Sequence, residues 1–237
     1  MRRLLMATVT SALILSLGCV QRYQKRMDST IEEMKYEREL DKNLEAAPAE
    51  GPLKSLDIFI RPPKGLVPAK EFTLTAVEPG LFDVDRTFYQ GDKTFLHILA
   101  RKKMAKKPAT KGAPAEPTVT RGDFNGDVLK KLREAFGEDE NIAMEKFKDD
   151  PHKTNKFRRA IFTAGNGKKV EVFLSKVEPY DVALIYVFDP AEEKALDPKI
   201  RYSLEAFALG AKANSKYSGL SDAETEAVEA GTATTTF

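Results

Sequence analysis

Val182–Phe188 reads Val-Ala-Leu-Ile-Tyr-Val-Phe, seven apolar residues with no polar position on either face. Side chains alternate across a strand, so such a run is stable only where both faces of a sheet are covered. This segment is therefore expected to be the central, fully buried strand, and the other elements are placed around it. Leu56, Ile58 and Ile60 alternate with Asp57, Phe59 and Arg61, a strand signal that Pro62-Pro63-Lys64-Gly65 ends. Phe72, Leu74 and Ala76 alternate over Glu71–Val77, and a further strand is expected over Thr94–Arg101. Phe157–Thr163 and a return strand with Val170, Val172 and Leu174 flank Ala164-Gly165-Asn166-Gly167, whose Asn-Gly pair is hairpin chemistry.

Two helices are expected among these strands. Val128, Leu129, Leu132, Ala135 and Phe136 repeat at helical spacing, and Gly137 is placed to end the helix. Asp197 is expected to cap the second, with Pro198 at its first position and Ile200, Leu204, Phe207, Ala208 and Ala211 as its apolar face. The order of elements predicts an α+β fold, a mostly antiparallel sheet with packed helices.

The N-terminus constrains location. Arg2 and Arg3 precede Leu4–Leu17, an uncharged apolar stretch too short to span a bilayer comfortably, and Gly18-Cys19 follows. Cys19 is the single cysteine of the chain, which excludes an internal disulfide and a cysteine-cluster metal site. Leu15-Ser16-Leu17-Gly18-Cys19 resembles the lipobox of bacterial lipoproteins, with Ser16 where a Leu is usual and Leu17 where a small residue is usual. The resemblance implies that residues 1–18 are a signal peptide and that Cys19 is the lipidation site, the diacylated N-terminus of the mature chain. Val20 after it, rather than Asp, implies the outer membrane, facing the periplasm. The alternative is an uncleaved signal anchor.

Residues 20–45 are charged and free of Gly and Pro, with Met27, Ile31 and Met34 on one helical stripe and Tyr36, Leu40 and Leu44 on a shifted one. This predicts a helical stalk before the domain, since the thin apolar face holds no clean heptad. Ala46–Pro52 reads as a linker. The expected organisation is therefore anchor, stalk and linker over 19–52, an α+β domain over 53–213 with a flexible basic insertion at 102–117, and a disordered tail over 214–237.

Net charge is +2 from 38 basic and 36 acidic residues, and it balances once Arg2 and Arg3 are removed. That gives no electrostatic basis for nucleic-acid binding. Two histidines, His97 in an apolar strand and His152 in Asp150-Pro151-His152, offer no nucleophile–base pair, and no G-x-S-x-G occurs. No catalytic residue and no cofactor is assigned. One calcium pattern stands out: Asp123, Asn125, Asp127 and Glu134 fall at positions 1, 3, 5 and 12 of an EF-hand-like loop. Val128 occupies the position where the loop requires Gly, so the favoured reading is a helix N-terminus capped by Asn125 or Asp127.

Taken together, Ile58–Gly65, the hairpin around Asn166, Val182–Phe188 and the last helix with Leu204 and Phe207 resemble the PsbP/DcrB-like extracytoplasmic domains. That family implies an antiparallel sheet flanked by helices and a non-catalytic, partner-binding habit. The expected function is a lipid-anchored cell-envelope protein of partner-binding or structural type, held to the membrane by its lipid and docking onto an envelope protein partner. The alternative is a lipid-tethered enzyme or small-ligand-binding protein with an unmarked cleft.

Overall fold

The structure is a computed structural model that describes residues 2–69, 74, 80–103, 121–137 and 142–219, with side chains from residue 23 onward. Contacts divide the chain into two units, Met1–Lys42 and Asn43–Phe237. The first unit is helix α1, Arg2–Asn43 up to Lys42, and 42 residues give it about 63 Å. Tyr23, Met27, Ile31 and Met34 lie exposed along it. Among the described residues no helix is long and apolar enough to cross a membrane.

The second unit is an α+β domain. Helix α2 (Pro52–Ser55) leads into β1 (Ile58–Phe59), followed by β2 (Val67–Pro68), β3 (Val84–Gln90) and β4 (Thr94–Lys102). Helix α3 (Phe124–Phe136) precedes β5 (Lys148–His152), β6 (Asn155–Thr163), β7 (Lys169–Val177) and β8 (Tyr180–Phe188). Helix α4 (Glu193–Ala206), β9 (Ala208–Leu209) and a last helix, α5 (211–219), complete the order. Seven strands form one sheet in the order β2-β3-β4-β8-β7-β6-β5, every pair antiparallel, and β1 pairs with β9 in a separate ribbon.

The central position belongs to β8, all nine residues of which are buried, as the apolar run requires. Its alternate side chains divide between two cores. Leu184 and Tyr186 join Leu96, Ile98 and Phe173 under Leu196, Ile200 and Leu204 of α4. Ala183, Ile185 and Val187 join Leu99, Val172 and Leu174 under Val128 and Leu132 of α3. The sheet is thus covered on both faces, and an alternating pattern would leave polar groups buried there without partners.

Several expectations are corrected. The folded unit begins at residue 43 rather than 53. Leu44 bridges Pro63, the Glu45 amide donates to the Pro62 carbonyl at 2.8 Å, and the Glu45 carboxylate accepts from the Gly65 amide at 2.9 Å. The strand expected around Leu56–Ile60 shrinks to Ile58–Phe59, because α2 takes the residues before it and Asp57 sits at φ +56°. Helix α4 begins at Glu193, so Asp197 and Pro198 fall inside its first turns, and Asp189 caps the short turn ahead of it. The chain stays ordered past Ala213. In α5 the Tyr217 hydroxyl donates to the Ile58 carbonyl at 2.7 Å and its ring stands edge-on to Phe59 at 5.1 Å. The expected strand Glu71–Val77 lies outside the described residues except Leu74, as do residues 104–117 of the insertion and 220–237 of the tail.

Candidate functional site

The chemistry of the domain concentrates at the end of the sheet where β4 and β7 finish and β6 and β8 start. Arg101 alternates with Leu99 on β4 and so faces α3. It is 7% exposed, and its guanidinium binds three oxygens: the Gly122 carbonyl at 2.9 Å, the Leu81 carbonyl at 2.8 Å and the Asp127 carboxylate at 2.6 Å. Phe82 and Phe124 flank it at 5.7 and 5.6 Å. These three acceptors offset much of the cost of burying the guanidinium, whose Nε is left without a hydrogen-bond partner. The same corner carries Arg121 on Asp83 at 2.7 Å, and the other Asp83 oxygen accepts the Lys102 amide.

This arrangement separates the residues of the calcium pattern. Asp123, not Asn125 or Asp127, caps α3, its carboxylate accepting from the Gly126 amide at 3.3 Å. Asp127 is the counter-ion of Arg101. Glu134 lies two turns further along α3, with Lys131 at 3.0 Å and Lys130 at 3.8 Å. Asn125 lines the cleft described below. Among the described residues no cluster of three or more histidine, cysteine or acidic side chains is positioned to hold a metal. Cys19 falls within α1, where side chains lie outside the described residues.

The two histidines are separated as well. His97 is buried in β4, its Nδ1 within 2.8 Å of the Thr87 hydroxyl and its ring stacked on Phe95, and burial pushes its pKa down to about 4. His152 lies on the other face, 3.2 Å from Asp150, its ring edge-on to Phe157 and Phe173. From Asp150 a chain of alternating charge crosses the sheet. Arg159 reaches Asp150 at 3.8 Å and Glu171 at 2.7 Å, and Lys169 lies 2.7 Å from both Glu171 and Glu193 at the start of α4. Glu171 is 1% exposed, and the two cations that flank it offset the cost of burying its charge. A third cluster joins β1 to the sheet: Lys102 at 2.9 Å and the Tyr180 hydroxyl at 3.1 Å share the Asp57 carboxylate, and the Lys102 hydrogen bond holds that carboxyl below its ordinary value.

These clusters fasten elements together. One open feature among the described residues is a cleft of about 610 Å³ beside the first turn of α3, at the ends of β5, β6 and β7. Leu174 forms an apolar part of its wall, and Lys156, Arg158 and Lys176 supply cations. The register explains why these side chains share a face. Arg158–Leu174 is the last pair of the β6–β7 ladder, and by alternation Lys156 and Lys176, two residues beyond it on each strand, fall on the same face as Arg158 and Leu174. The sequence reading missed these lysines. The Asn-Gly turn carries the signal, because counting outward from it places the residues of the two strands on their faces.

No protein-family model matches the chain, and no curated protein matches it. Among solved structures, the solution structure of cyanobacterial PsbP (CyanoP) from Synechocystis sp. PCC 6803 is similar to this chain at a TM-score of 0.43 and 12% identity, over 66% of this chain and 88% of that chain.

Proposed function

We propose that this protein is an exported, lipid-anchored component of a bacterial cell envelope, whose α+β domain acts by binding rather than by catalysis. The carrying observation is the position of Cys19, the single cysteine of the chain, immediately behind an uncharged apolar run that starts after Arg2-Arg3. Two or three acyl chains on that cysteine make anchoring stable where one would be marginal. The α1 segment after Cys19 then serves as a spacer, about 36 Å for its 24 residues. Val20 after the cysteine supports the outer membrane, and the domain faces the periplasm.

Binding rather than turnover is supported by how the titratable groups are used. His97 is neutral and packed, His152 lies 3.2 Å from Asp150 and against the Phe157 and Phe173 rings, and Glu171 is held between Arg159 and Lys169. The partner is an envelope protein on this reading. The small-ligand alternative is favoured by one specific feature, the cleft beside α3.

The test is to express wild type and Cys19→Ala with labelled palmitate and to fractionate the membranes. The wild type is expected to carry label and to sediment with membranes. The variant should lose the label and be released, or accumulate as a larger precursor. Unchanged fractionation of the variant, with no label on the wild type, would overturn the proposal.

A further inference from the structure

We infer that the cleft between α3 and the ends of β5, β6 and β7 binds a small anionic ligand, a carboxylate or phosphate carried on a short apolar body. The inference concerns the folded domain and stands whether or not Cys19 is acylated.

The charge balance of the cleft is the starting point. Lys156 and Lys176 are exposed and both line the cleft, each two residues beyond Arg158–Leu174, where the β6–β7 pairing ends. Neither ammonium has a hydrogen-bond or ion-pair partner among the described residues. Two of the three nearby acids are already engaged. Glu178, whose charge Lys176 feels, is held by Lys103 at 2.8 Å. Asp150 lies 3.2 Å from His152 and 3.8 Å from Arg159. Asp149, the third, lines the cleft opposite Arg158 in the β5–β6 register, and the Arg158 guanidinium donates to the Met144 and Phe147 carbonyls at 3.1 Å each. Cations therefore outnumber acids in the lining, Lys156, Arg158 and Lys176 against Asp149 and Asp150.

The cavity itself has the dimensions of a ligand site. About 610 Å³ falls within the range occupied by small-molecule sites. Next to the lysines the wall is apolar, at Leu174, so a ligand with a short hydrocarbon portion gains burial while its anion lies between the two ammonium groups. A carboxylate or phosphate there gains charge-assisted contacts with the lysines. The same chemistry is available from a free metabolite-sized acid or from an anionic lipid headgroup.

The experiment uses the full chain in a neutral detergent and follows the melting midpoint with sodium octanoate or sodium phosphate, each against sodium chloride at equal ionic strength. At ten times the dissociation constant, mass action is expected to raise the midpoint by about 3 to 6 °C for a chain of this size. The rise should vanish in Lys156→Ala/Lys176→Ala. In Lys156→Glu the rise with octanoate should be lost as well, because the cleft then carries an added carboxylate in place of a cation. Nanodiscs of phosphatidylglycerol against phosphatidylcholine form the second arm. Protection by phosphatidylglycerol alone, lost in the double variant, assigns the anion to a lipid headgroup, and protection by octanoate or phosphate assigns it to a free ligand. No rise with any of these anions beyond chloride, or a rise that survives in the double variant, overturns the inference.

Discussion

Asp127 separates two readings of the start of α3 by the size of one stability change. As a helix-terminal carboxylate it would contribute about 1 kcal/mol or less. In the structure it is instead the counter-ion of Arg101, a cation 7% exposed, at 2.6 Å. Asp127→Asn leaves that guanidinium with the Gly122 and Leu81 carbonyls and no negative charge. Removing one partner of a buried pair costs about 3 to 5 kcal/mol, because the remaining charge stays desolvated. At roughly 2 to 4 °C per kcal/mol, the melting midpoint should fall by between about 6 and 20 °C. Asp123→Ala removes the true cap and should cost only about 1 kcal/mol. Urea titrations of both single variants decide the matter, and Arg101→Met/Asp127→Leu extends the test. With both charges gone, the double variant should be more stable than Asp127→Asn. If Asp127→Asn loses no more than Asp123→Ala, the argument from burial is wrong.

Three further outcomes are expected. His97 is neutral in the fold with its pKa pushed down to about 4 from 6.5, so stability is complete above pH 6.5 and declines as the unfolded chain takes up a proton that the native one refuses. Between pH 7 and pH 5 this amounts to about 2 kcal/mol, and denaturant titrations of His97→Gln should show a shallower loss than wild type over that interval. Tyr217→Ala should lose about 3 kcal/mol in urea, because it removes both the packing on Phe59 and the hydrogen bond to Ile58; no loss would return 214–219 to the tail. Gly137→Ala places a Cβ in open space at φ +89° and ψ 172°, so its cost is backbone strain alone, about 1 to 3 kcal/mol by thermal melt.

Legibility in the sequence followed burial. Strand β8 is readable because a position buried on both faces admits little but apolar residues, and α3 is readable because one face meets a core and the other meets water. Strand β5, Lys-Asp-Asp-Pro-His, sits at an edge with no residue fully buried, so no alternation marks it and it looked like a charged turn. Pro198 misplaced the start of α4, because proline is favoured at a first position, whereas here it is the sixth residue of a helix already under way, where it has no amide to bond back to Lys194. The Asp123–Glu134 spacing gave a local pattern, whereas the partner of Asp127 is Arg101, on a strand ahead of the insertion. Pairings of that kind depend on strand order, which no short motif encodes. The lysines of the cleft are the intermediate case, hidden in either strand alone and placed on one face once the hairpin turn is recognised.

The strand order also sets how the domain comes together in time. Strands β5 to β8 are joined by three hairpin contacts, and β3 and β4 by a fourth, all between sequence neighbours that meet quickly. The pairing that unites these two pieces is β4 with β8, where Phe95 meets Val187 and Lys102 meets Tyr180 across about 80 residues of intervening chain. Until that step the most apolar strand of the molecule has one unpaired edge, a template for pairing with another chain. A chain that crosses a membrane unfolded meets this interval on the far side, and there the association of β4 with β8 competes directly with intermolecular strand pairing.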